Sequence, residues 1–423
     1  MAREMKDSGI EWIDIIPETW KVNTIFQLFK QVKNKNEGLI ETNLLSLSYG
    51  KIKRKNIETV SGLLPDSFDG YNIIEKDDIV IRLTDLQNDQ KSLRVGLANE
   101  RGIVTSAYIT IRSISNNNPE YLYYYLHTFD VAKGFYGMGA GVRQGLNWNG
   151  LKHLQITIPP LAEQNRIADF LDRKCAEIDR VLEKTRASIE EYKKLKQSVI
   201  TQAVTKGVRG EREMKDSGIE WIGEIPASWD INVMFQLLKQ VKSRNEGLIE
   251  NNLLSLSYGK IKRKDIDTLG GLLPESFDGY NIIEKNDIVI RLTDLQNDHK
   301  SLRVGLSPER GIITFAYVTV RNYSQNLPEY LYYYLHSYDI AKGFYGMGAG
   351  VRQGLNWDGL KNLQITIPSV SEQQEICNYL DKKCSEIDTL KSKKEQFITE
   401  LESYKKSLIY EYVTGKKEAM NDL

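Results

Sequence analysis

The sequence is poor in the residues that build metal centres and disulfide frameworks. Its 423 residues include only 3 cysteines and 4 histidines, and Cys175, Cys377 and Cys384 are too few and too irregularly spaced for either. No apolar run approaches the roughly 18 residues of a membrane span, and the first residues lack the apolar core of a secretory signal. These absences predict a reduced, cytoplasmic protein with no membrane segment.

The chain also lacks an excess of either charge. It carries 57 basic and 57 acidic side chains, so its net charge is zero. This balance argues against a protein held to DNA mainly by phosphate attraction, which usually shows a strong basic excess. It does not exclude a protein that reads base edges while a partner shares the phosphate contacts.

What the sequence does contain is a duplication. Met-Lys-Asp-Ser-Gly-Ile-Glu-Trp-Ile at residues 5–13 returns at 214–222, a shift of 209 residues that needs no gap up to the C-terminus. About four residues in five are identical between 5–159 and 214–368, whereas the last quarter of each copy diverges strongly. We therefore expect the two parts of each copy to do different jobs.

The similar part of each copy is predicted to be a mixed α/β domain. Short β-rich runs separated by Gly, Asn, Asp and Pro turns indicate strands, and a Tyr-rich run after Pro119 indicates a helix. The predicted strands are 43–49, 78–83, 103–112 and 155–158, with counterparts at 252–258, 287–292, 312–321 and 364–367.

The divergent part is predicted to be one long amphipathic helix in each copy, over 163–205 and 372–413. The first stretch contains no Gly or Pro, and its apolar positions recur at three/four spacing. Ser371 with Gln374 suggests a capping box at the start of the second helix. Along the first helix, the apolar positions are Leu171, Cys175, Ile178, Leu182, Ile189, Tyr192 and Val199.

A long helix with a narrow apolar stripe needs a partner, and its own repeat is the obvious one. The linker 206–213 is too short to span a helix length at about 3.5 Å per residue, so antiparallel pairing is favoured. The predicted fold is α+β, with two mixed α/β domains alternating with two helices that pair as an antiparallel coiled coil, in a pseudo-two-fold internal repeat. The predicted divisions are 1–160, 161–213, 214–369 and 370–423.

A catalytic site is hard to assemble from this chain. Only the histidine pair His127/His336 is repeated, and its place within the Tyr-rich helix favours a structural role. Neither Asn-Pro-Pro-Tyr nor Asp-Pro-Pro-Tyr, the tetrapeptides of amino-methyltransferases, occurs, and there is no Walker loop. The sequence therefore predicts a non-catalytic protein with no cofactor of its own.

Three polar loops in each copy carry the residue types that read DNA. Arg and Lys pair with guanine, Asn and Gln with adenine, and Thr with either. An alternative is that these loops are simply the turns of the fold. The predicted DNA-binding residues of the first copy are Tyr49, Lys51, Lys53, Arg54, Lys55, Arg82, Thr84, Gln87, Asn88, Lys91, Arg94, Arg143, Gln144 and Asn147. Those of the second copy are Tyr258, Lys260, Lys262, Arg263, Lys264, Arg291, Thr293, Gln296, Asn297, Lys300, Arg303, Arg352, Gln353 and Asn356.

Several of these motifs resemble a known family. The opening nonapeptide followed by Ile-Pro-x-x-Trp, which ends at Trp20 and Trp229, resembles the start of specificity subunits of type I restriction-modification systems. The run from Arg143 to Asn147 and the Ile-Pro-Pro ending at Pro160 are similar to segments of that family. The run from Glu163 to Asp172 looks like its Pro-Leu-x-Glu-Gln helix start. The resemblance covers essentially the whole chain.

The resemblance implies a role and partners. The two mixed domains would be target-recognition domains, each reading one half of a bipartite double-stranded DNA target. The helices would set the half-site spacing and dock two methyltransferase subunits, which carry S-adenosylmethionine. A motor-nuclease subunit driven by ATP would complete a restriction complex.

The chain departs from the usual family pattern, because its recognition domains are more alike than its helices. Two nearly identical readers related by a two-fold axis predict an interrupted palindrome, with half-sites about one helical turn apart. Differences such as Ser106/Phe315 and Asn56/Asp265 could relax that symmetry. The alternatives are a self-contained methyltransferase-nuclease and a coiled-coil scaffold with two protein-binding heads.

Overall fold

The computed structural model describes residues 3–55, 67–89, 91–138, 145–265, 276–298, 300–347 and 354–419. The chain divides into two compact units, of which unit 1 comprises Met1–Thr185 with Gln396–Leu423 and unit 2 comprises Arg186–Glu395. Unit 1 therefore contains both ends of the chain. The four-part division expected from the sequence remains a prediction.

Unit 1 is built from short strands and few helices. Its strands are β1 (Met5–Asp7), β2 (Ile15–Pro17), β3 (Lys21–Thr24), β4 (Phe29–Gln31), β5 (Leu45–Ser48), β6 (Lys51–Arg54), β7 (Asn72–Ile74), β8 (Ile79–Ile81), β9 (Val95–Leu97), β10 (Gly102–Val104), β11 (Ile109–Ser113) and β12 (Gln155–Ile158). Its helices are α1 (Ile25–Leu28), α2 (Pro119–Val131), α3 (Trp148–Leu151) and the first part of α4 (Leu161–Lys206).

Among the described residues, the strands of unit 1 form antiparallel pairs with one another, and an isolated parallel bridge joins Leu44 to Ile103. The main sheet has the order β4-β11-β8-β9, and the two-stranded ribbons are β1-β2, β7-β10, β3-β12 and β5-β6. The Tyr-rich helix α2 starts at Pro119 as expected and buries Tyr121 and Tyr125 completely in the core. This antiparallel arrangement agrees with the predicted α+β class.

One predicted strand, 103–112, is wrong as a single element. The chain turns between β10 and β11, where the Tyr108 amide donates to the Thr105 carbonyl at 3.1 Å. Since β10 pairs with β7 while β11 pairs with β4 and β8, the two halves of this apolar run serve different sheets. Apolar periodicity alone does not reveal such a turn.

The C-terminal part of the chain completes the core of unit 1. Leu408, Ile409 and Val413 are buried there. The Phe170 ring lies 4.4 Å from the Tyr412 ring, and Asp179 pairs with Lys405 at 2.6 Å. The partner number falls as the α4 number rises, so the two helical segments run in opposite directions within this unit.

Unit 2 repeats these elements. Its strands are β13 (Met214–Asp216), β14 (Glu224–Pro226), β15 (Asp230–Val233), β16 (Leu238–Gln240), β17 (Leu254–Ser257), β18 (Lys260–Arg263), β19 (Asn281–Ile283), β20 (Ile288–Ile290), β21 (Val304–Leu306), β22 (Gly311–Ile313), β23 (Val318–Asn322) and β24 (Gln364–Ile367). Its helices are α5 (Met234–Leu237), α6 (Pro328–Ile340), α7 (Trp357–Leu360) and the first part of α8 (Val370–Val413). The main sheet has the order β16-β23-β20-β21.

The long helices match the predicted spans within a few residues. Their contacts in unit 2 repeat those in unit 1, since Lys196 pairs with Asp388 at 2.7 Å and Ile200 and Val204 are buried in the core. The expected capping box is wrong, because the Glu372 amide donates to Ser369 Oγ at 3.3 Å. Ser369, rather than Ser371, thus accepts the hydrogen bond that caps this helix start.

Two absences expected from the sequence concern membranes and disulfides. In the part of the chain that the structure describes, no helix is both long and apolar enough to cross a membrane. Cys175, Cys377 and Cys384 are buried free thiols.

Candidate nucleic-acid interface

A two-residue turn presents the first of the three polar loops. In unit 1, Tyr49 and Gly50 join β5 to β6 with φ of 48° and 75°, the positive values of a type I′ hairpin. A bulky residue at positive φ costs about 1 kcal/mol, yet Tyr49 leaves 77% of its surface exposed. Tyr258 at the same turn of unit 2 has φ of 46° and is 74% exposed. Both units therefore present a tyrosine outward at a strained position.

The first lysine of this hairpin has a partner on a long helix. Lys51 Nζ lies 3.3 Å from Asp179 on α4, and Lys405 on α8 binds the same carboxylate. Partial burial alone would raise the pKa of Asp179, but Lys405 and then Lys51 hold that pKa below its usual value. In unit 2, Asp388 is 2.7 Å from Lys196 and 3.8 Å from Lys260. The carboxylate thus links the hairpin to the paired helix segments.

The rest of the basic run is exposed. Arg54 pairs with Glu100 through Nε at 2.8 Å, and the hydrogen bond from Arg54 lowers the pKa of Glu100. Any contact of Arg54 with DNA would require this exposed ion pair to open. The counterpart Arg263 pairs with Glu309 in the same way at 2.7 Å. Besides Lys51 and Lys260, the exposed lysines of the two hairpins are Lys53, Lys55, Lys262 and Lys264.

The second loop encloses an arginine that does not reach the surface. Arg94 is completely buried, and its Nη1 donates to the carbonyls of Arg82 at 3.1 Å and Thr84 at 2.8 Å. Its Nη2 donates to the carbonyls of Asp85 and Asp89. Arg303 is buried with the corresponding contacts in unit 2. The prediction that Arg94 and Arg303 bind DNA is therefore wrong, because both guanidinium groups are buried and donate to backbone carbonyls of their own loop.

Other side chains of this loop form ion pairs or hydrogen bonds with residues of the same loop. Arg82 pairs with Asp89 at 3.0 Å, and Asn88 Nδ2 donates to Asp85 Oδ1 at 2.8 Å. Arg291 and Asn297 make the same contacts in unit 2, both at 2.8 Å. The exposed members of the predicted set are Thr84, Gln87, Asn88, Lys91, Thr293, Gln296, Asn297 and Lys300.

The third loop is described only in part. Arg143, Gln144, Arg352 and Gln353 lie outside the described residues, and their DNA contacts remain predictions. Asn147 caps α3 by accepting from the Gly150 amide at 3.1 Å, and Asn356 caps α7 at the same distance. These two asparagines therefore have a structural role, although both residues are exposed.

The three predicted loops are neighbours within each unit. The Leu146 amide of the third loop donates to the Leu83 carbonyl of the second at 3.0 Å. A Cβ placed on Gly50 at the hairpin tip would lie 3.2 Å from Leu93 Cβ, on the returning arm of the second loop. In unit 2, Leu355 and Leu292 make the first of these contacts, and Gly259 and Leu302 the second. The fold thus gathers exposed hydrogen-bonding side chains into one surface per unit, which we call the loop surface.

Some residues around this surface were missed by sequence reasoning. Asp130 on α2 accepts from the Arg94 amide through Oδ2, and Tyr136 Oη accepts from Arg94 Nε at 3.1 Å. Burial raises the pKa of Asp130 to about 6. Asp130 and Tyr136 are identical in the second copy, as Asp339 and Tyr345, but identity across most of the domain gave them no distinct signal.

The described residues offer little for catalysis. No group of three or more His, Cys, Asp and Glu side chains within them is placed to hold a metal ion. His127 packs its ring 5.7 Å from the Tyr123 ring, and burial first, then Lys405, lowers its pKa to about 4. His336 packs in the same way against Tyr332. These contacts give the repeated histidine a packing role.

Comparison with known proteins identifies the family. The family model of the type I restriction-modification DNA specificity domain matches residues 17–191 and 261–400, so the chain belongs to this family. Specificity subunits are the non-catalytic components of type I systems, and the membership gives this chain a role in DNA recognition rather than catalysis.

Relatives and solved structures are similar to this chain over almost its whole length. The chain is 24% identical over 426 residues to a relative assigned as the MjaX specificity subunit of Methanocaldococcus jannaschii, covering 95% of this chain and 94% of the relative. It is 23% identical to the type I restriction enzyme MjaVIII specificity subunit of the same organism, covering 96% and 95%. A chain from a structure of type I restriction-modification complex assembly superposes with a TM-score of 0.68 at 14% identity, covering 95% of this chain and 99% of that one. The HsdS subunit from Thermoanaerobacter tengcongensis gives 0.50 at 15% identity, covering 95% and 98%. These likenesses support the mixed α/β fold.

Proposed function

We propose that this chain reads both halves of a bipartite DNA target, one half with the loop surface of each unit. The observation that carries this is the repeated set of exposed polar side chains on three adjacent loops. Thr84, Gln87 and Asn88 offer donors and acceptors for base edges, while Lys53, Lys55 and Lys91 offer charge for phosphates. The zero net charge fits a subunit whose partners supply further phosphate contacts.

The near identity of the two loop surfaces supports an interrupted palindrome as the target. Every described predicted reader of unit 1 has the same residue type in unit 2. One difference between the exposed surfaces of the two units is Phe315, which is 62% exposed with the Arg244 guanidinium 5.8 Å from its ring, where unit 1 has Ser106 and Lys35. This pair is the place where we expect any departure from symmetry.

The long helices are proposed to pair as an antiparallel coiled coil related by a pseudo-two-fold axis and to fix the half-site spacing. The opposed contacts of α4 and α8 within each unit support this arrangement, as do their lengths of 46 and 44 residues. At about 1.5 Å per residue, each helix is close to 70 Å long. Such a pair has the length and stiffness that a ruler between half-sites needs.

The same helices are proposed to dock two methyltransferase subunits. Val181 and Leu195 on α4 are 39% and 49% exposed, and their counterparts Leu390 and Tyr404 on α8 are 44% and 56% exposed. Repeated apolar side chains in exposed helix positions are typical of protein interfaces. S-adenosylmethionine would be bound by those subunits, and an ATP-driven motor-nuclease subunit would complete the restriction complex.

The first experiment is genome-wide methylation mapping in a host that expresses the chain with its methyltransferase partner. An interrupted palindrome with N6-methyladenine on both strands is the expected result. An asymmetric bipartite motif would retain DNA reading but reject the symmetric target. If an assembled complex produced no new motif, a coiled-coil scaffold with protein-binding heads would replace the present proposal.

A further inference from the structure

The buried arginine of the second loop does more than fill space. Arg94 has five guanidinium N–H donors, and they reach four backbone carbonyls and one phenol within and beside its loop. The residues whose carbonyls accept, at positions 82, 84, 85 and 89, span the stretch between β8 and β9. The backbone of this loop is not part of a strand, and it is held by hydrogen bonds from one buried side chain.

The same device recurs in unit 2 with nearly equal geometry. Arg303 donates to the carbonyls of Arg291 at 3.2 Å, Thr293 at 2.8 Å and Asp294 at 3.2 Å. Its Nε donates to Tyr345 Oη at 3.0 Å. Two copies that diverge at about one position in five elsewhere have therefore kept this network whole.

The network lies directly beneath the exposed side chains that we assign to base reading. Thr84 supplies a carbonyl to Arg94 while its side chain is exposed. Asn88 is fixed to Asp85, whose carbonyl also accepts from Arg94 and whose φ of 57° is left-handed. Because hydrogen-bond readout needs donors placed within a few tenths of an ångström, the conformation of this loop controls what it can read.

We propose that Arg94 and Arg303 are positioning residues for sequence discrimination, each holding the reading loop of its own unit in the one conformation that matches base edges of its half-site. The inference rests on the proposed DNA-reading function and adds which residues set its fidelity. A lysine keeps the charge but offers three donors from one nitrogen, so it cannot reach carbonyls on both arms of the loop.

The test uses the full chain with its methyltransferase partner, and methylation mapping as the readout. Arg94→Lys should reduce discrimination in one half of the motif at least tenfold, while the other half stays specific. Arg303→Lys should have the mirrored effect, and the double variant should relax both halves. A role limited to core stability would lower methylation without changing the motif.

The matched control is Arg112→Lys with its counterpart Arg321→Lys. Arg112 lies in the same domain and binds buried Asp78 through Nε at 2.7 Å, but it does not touch the second loop. We expect it to lower the melting temperature and leave both halves of the motif intact. The inference would be overturned if Arg94→Lys and Arg112→Lys both left the motif unchanged and lowered methylation by the same amount.

A second variant keeps the inference testable if Arg94→Lys does not fold. Tyr136→Phe removes the hydroxyl that accepts from Arg94 Nε and donates to the Asp89 carbonyl at 3.3 Å, and it leaves the arginine in place, so the domain should fold while discrimination in one half falls by a few fold. If that half stays as specific as in the wild type, the inference is overturned. A wild-type complex without any sequence preference would reject the proposed function itself, whereas wild-type specificity with an unaltered motif in Arg94→Lys would reject only this inference.

Discussion

At the scale of single residues, arginines that look alike in the sequence have different jobs. Arg94 is buried among carbonyls, Arg54 is paired with a surface carboxylate, and Arg112 is bound to the buried Asp78. All three are identical in the second copy, as Arg303, Arg263 and Arg321. Residue type and repetition singled out the three loops but could not separate exposed from buried side chains, because burial depends on partners distant in the sequence.

Asn88 is an exposed residue of the second loop whose side chain is held by a hydrogen bond to Asp85. Asn88→Ala with Asn297→Ala should cost about 1–3 kcal/mol of discrimination against the wrong base, since each amide also has a second N–H and a carbonyl with which to make a bidentate contact. Competition binding of the assembled complex to target and single-substituted duplexes measures this. Asn23→Ala with Asn232→Ala, on β3 and β15, is the control and should leave discrimination unchanged.

The repeated histidines predict a pH dependence. Burial lowers the pKa of His127 and His336 from 6.5 to about 4, so each contributes stability above pH 6.5 that is lost as pH falls towards 4. Asp130 and Asp339, with pKa values raised to about 6, act in the opposite sense, because their contribution is lost as pH rises through 6.

Replacing both histidines by phenylalanine should therefore reduce the acid sensitivity of the chain. Between pH 7 and 5, the variant should lose about 2 kcal/mol less stability per site than the wild type. Denaturant unfolding at the two pH values makes the comparison. An unchanged difference would mean that the histidines are not kept neutral by the fold.

At the scale of elements, the helix start is anchored by a residue of the Glu-Gln motif. Gln164 is 1% exposed, accepts from the Asn118 amide at 2.9 Å, and donates to Asn117 Oδ1 and the Pro159 carbonyl at 2.7 and 2.8 Å. The sequence showed this motif only through its family resemblance. Its physical role depends on its contacts with the residues before α2, which are distant from it in the sequence.

Removing this anchor should be costly. Gln164→Ala leaves buried polar groups without partners and should lower the free energy of unfolding by about 3 kcal/mol. The control is Gln374→Ala on α8, where the side chain is exposed and bonds only to Asn378 at 3.0 Å; that change should cost less than about 1 kcal/mol. Denaturant unfolding of both variants measures these two changes in the free energy of unfolding.

The ruler role of α4 and α8 can be tested by lengthening both helices. Inserting seven residues after Thr185 and after Glu395 preserves the apolar repeat and adds about 10 Å. The preferred spacer should then grow by about three base pairs at about 3.4 Å each. Methylation mapping gives the new motif, and an unchanged spacer would refute the ruler.

At the scale of the whole molecule, the repeat and the helix spans were readable from the sequence, whereas the composition of the units was not. The Tyr410 hydroxyl in α8 donates to the Trp12 carbonyl, 398 residues away in the chain. No local pattern signals such a contact. Apolar periodicity predicted that α8 needs partners, but not that its last turns belong to the core that begins with the N-terminal strands.

Equivalent substitutions near the two helix ends should therefore act on different units. Ile409→Ala and Ile200→Ala remove side chains that are 3% and 2% exposed, and each should cost about 3 kcal/mol. Hydrogen exchange should show Ile409→Ala loosening the sheet β4-β11-β8-β9 and Ile200→Ala loosening β16-β23-β20-β21. The reverse pattern, or equal effects on both sheets, would contradict this division of the chain.

The presence of both ends of the chain in unit 1 has a consequence for biosynthesis. The 210 residues between Thr185 and Gln396 (395 minus 185) must be made before the last segment of unit 1 emerges from the ribosome. At about 5–20 residues per second, this is a delay of about 10–40 s. Unit 2 is continuous in the chain and can be complete before then. The nascent N-terminal domain must therefore wait with an unfinished apolar core, which makes it the part most dependent on chaperone protection during translation.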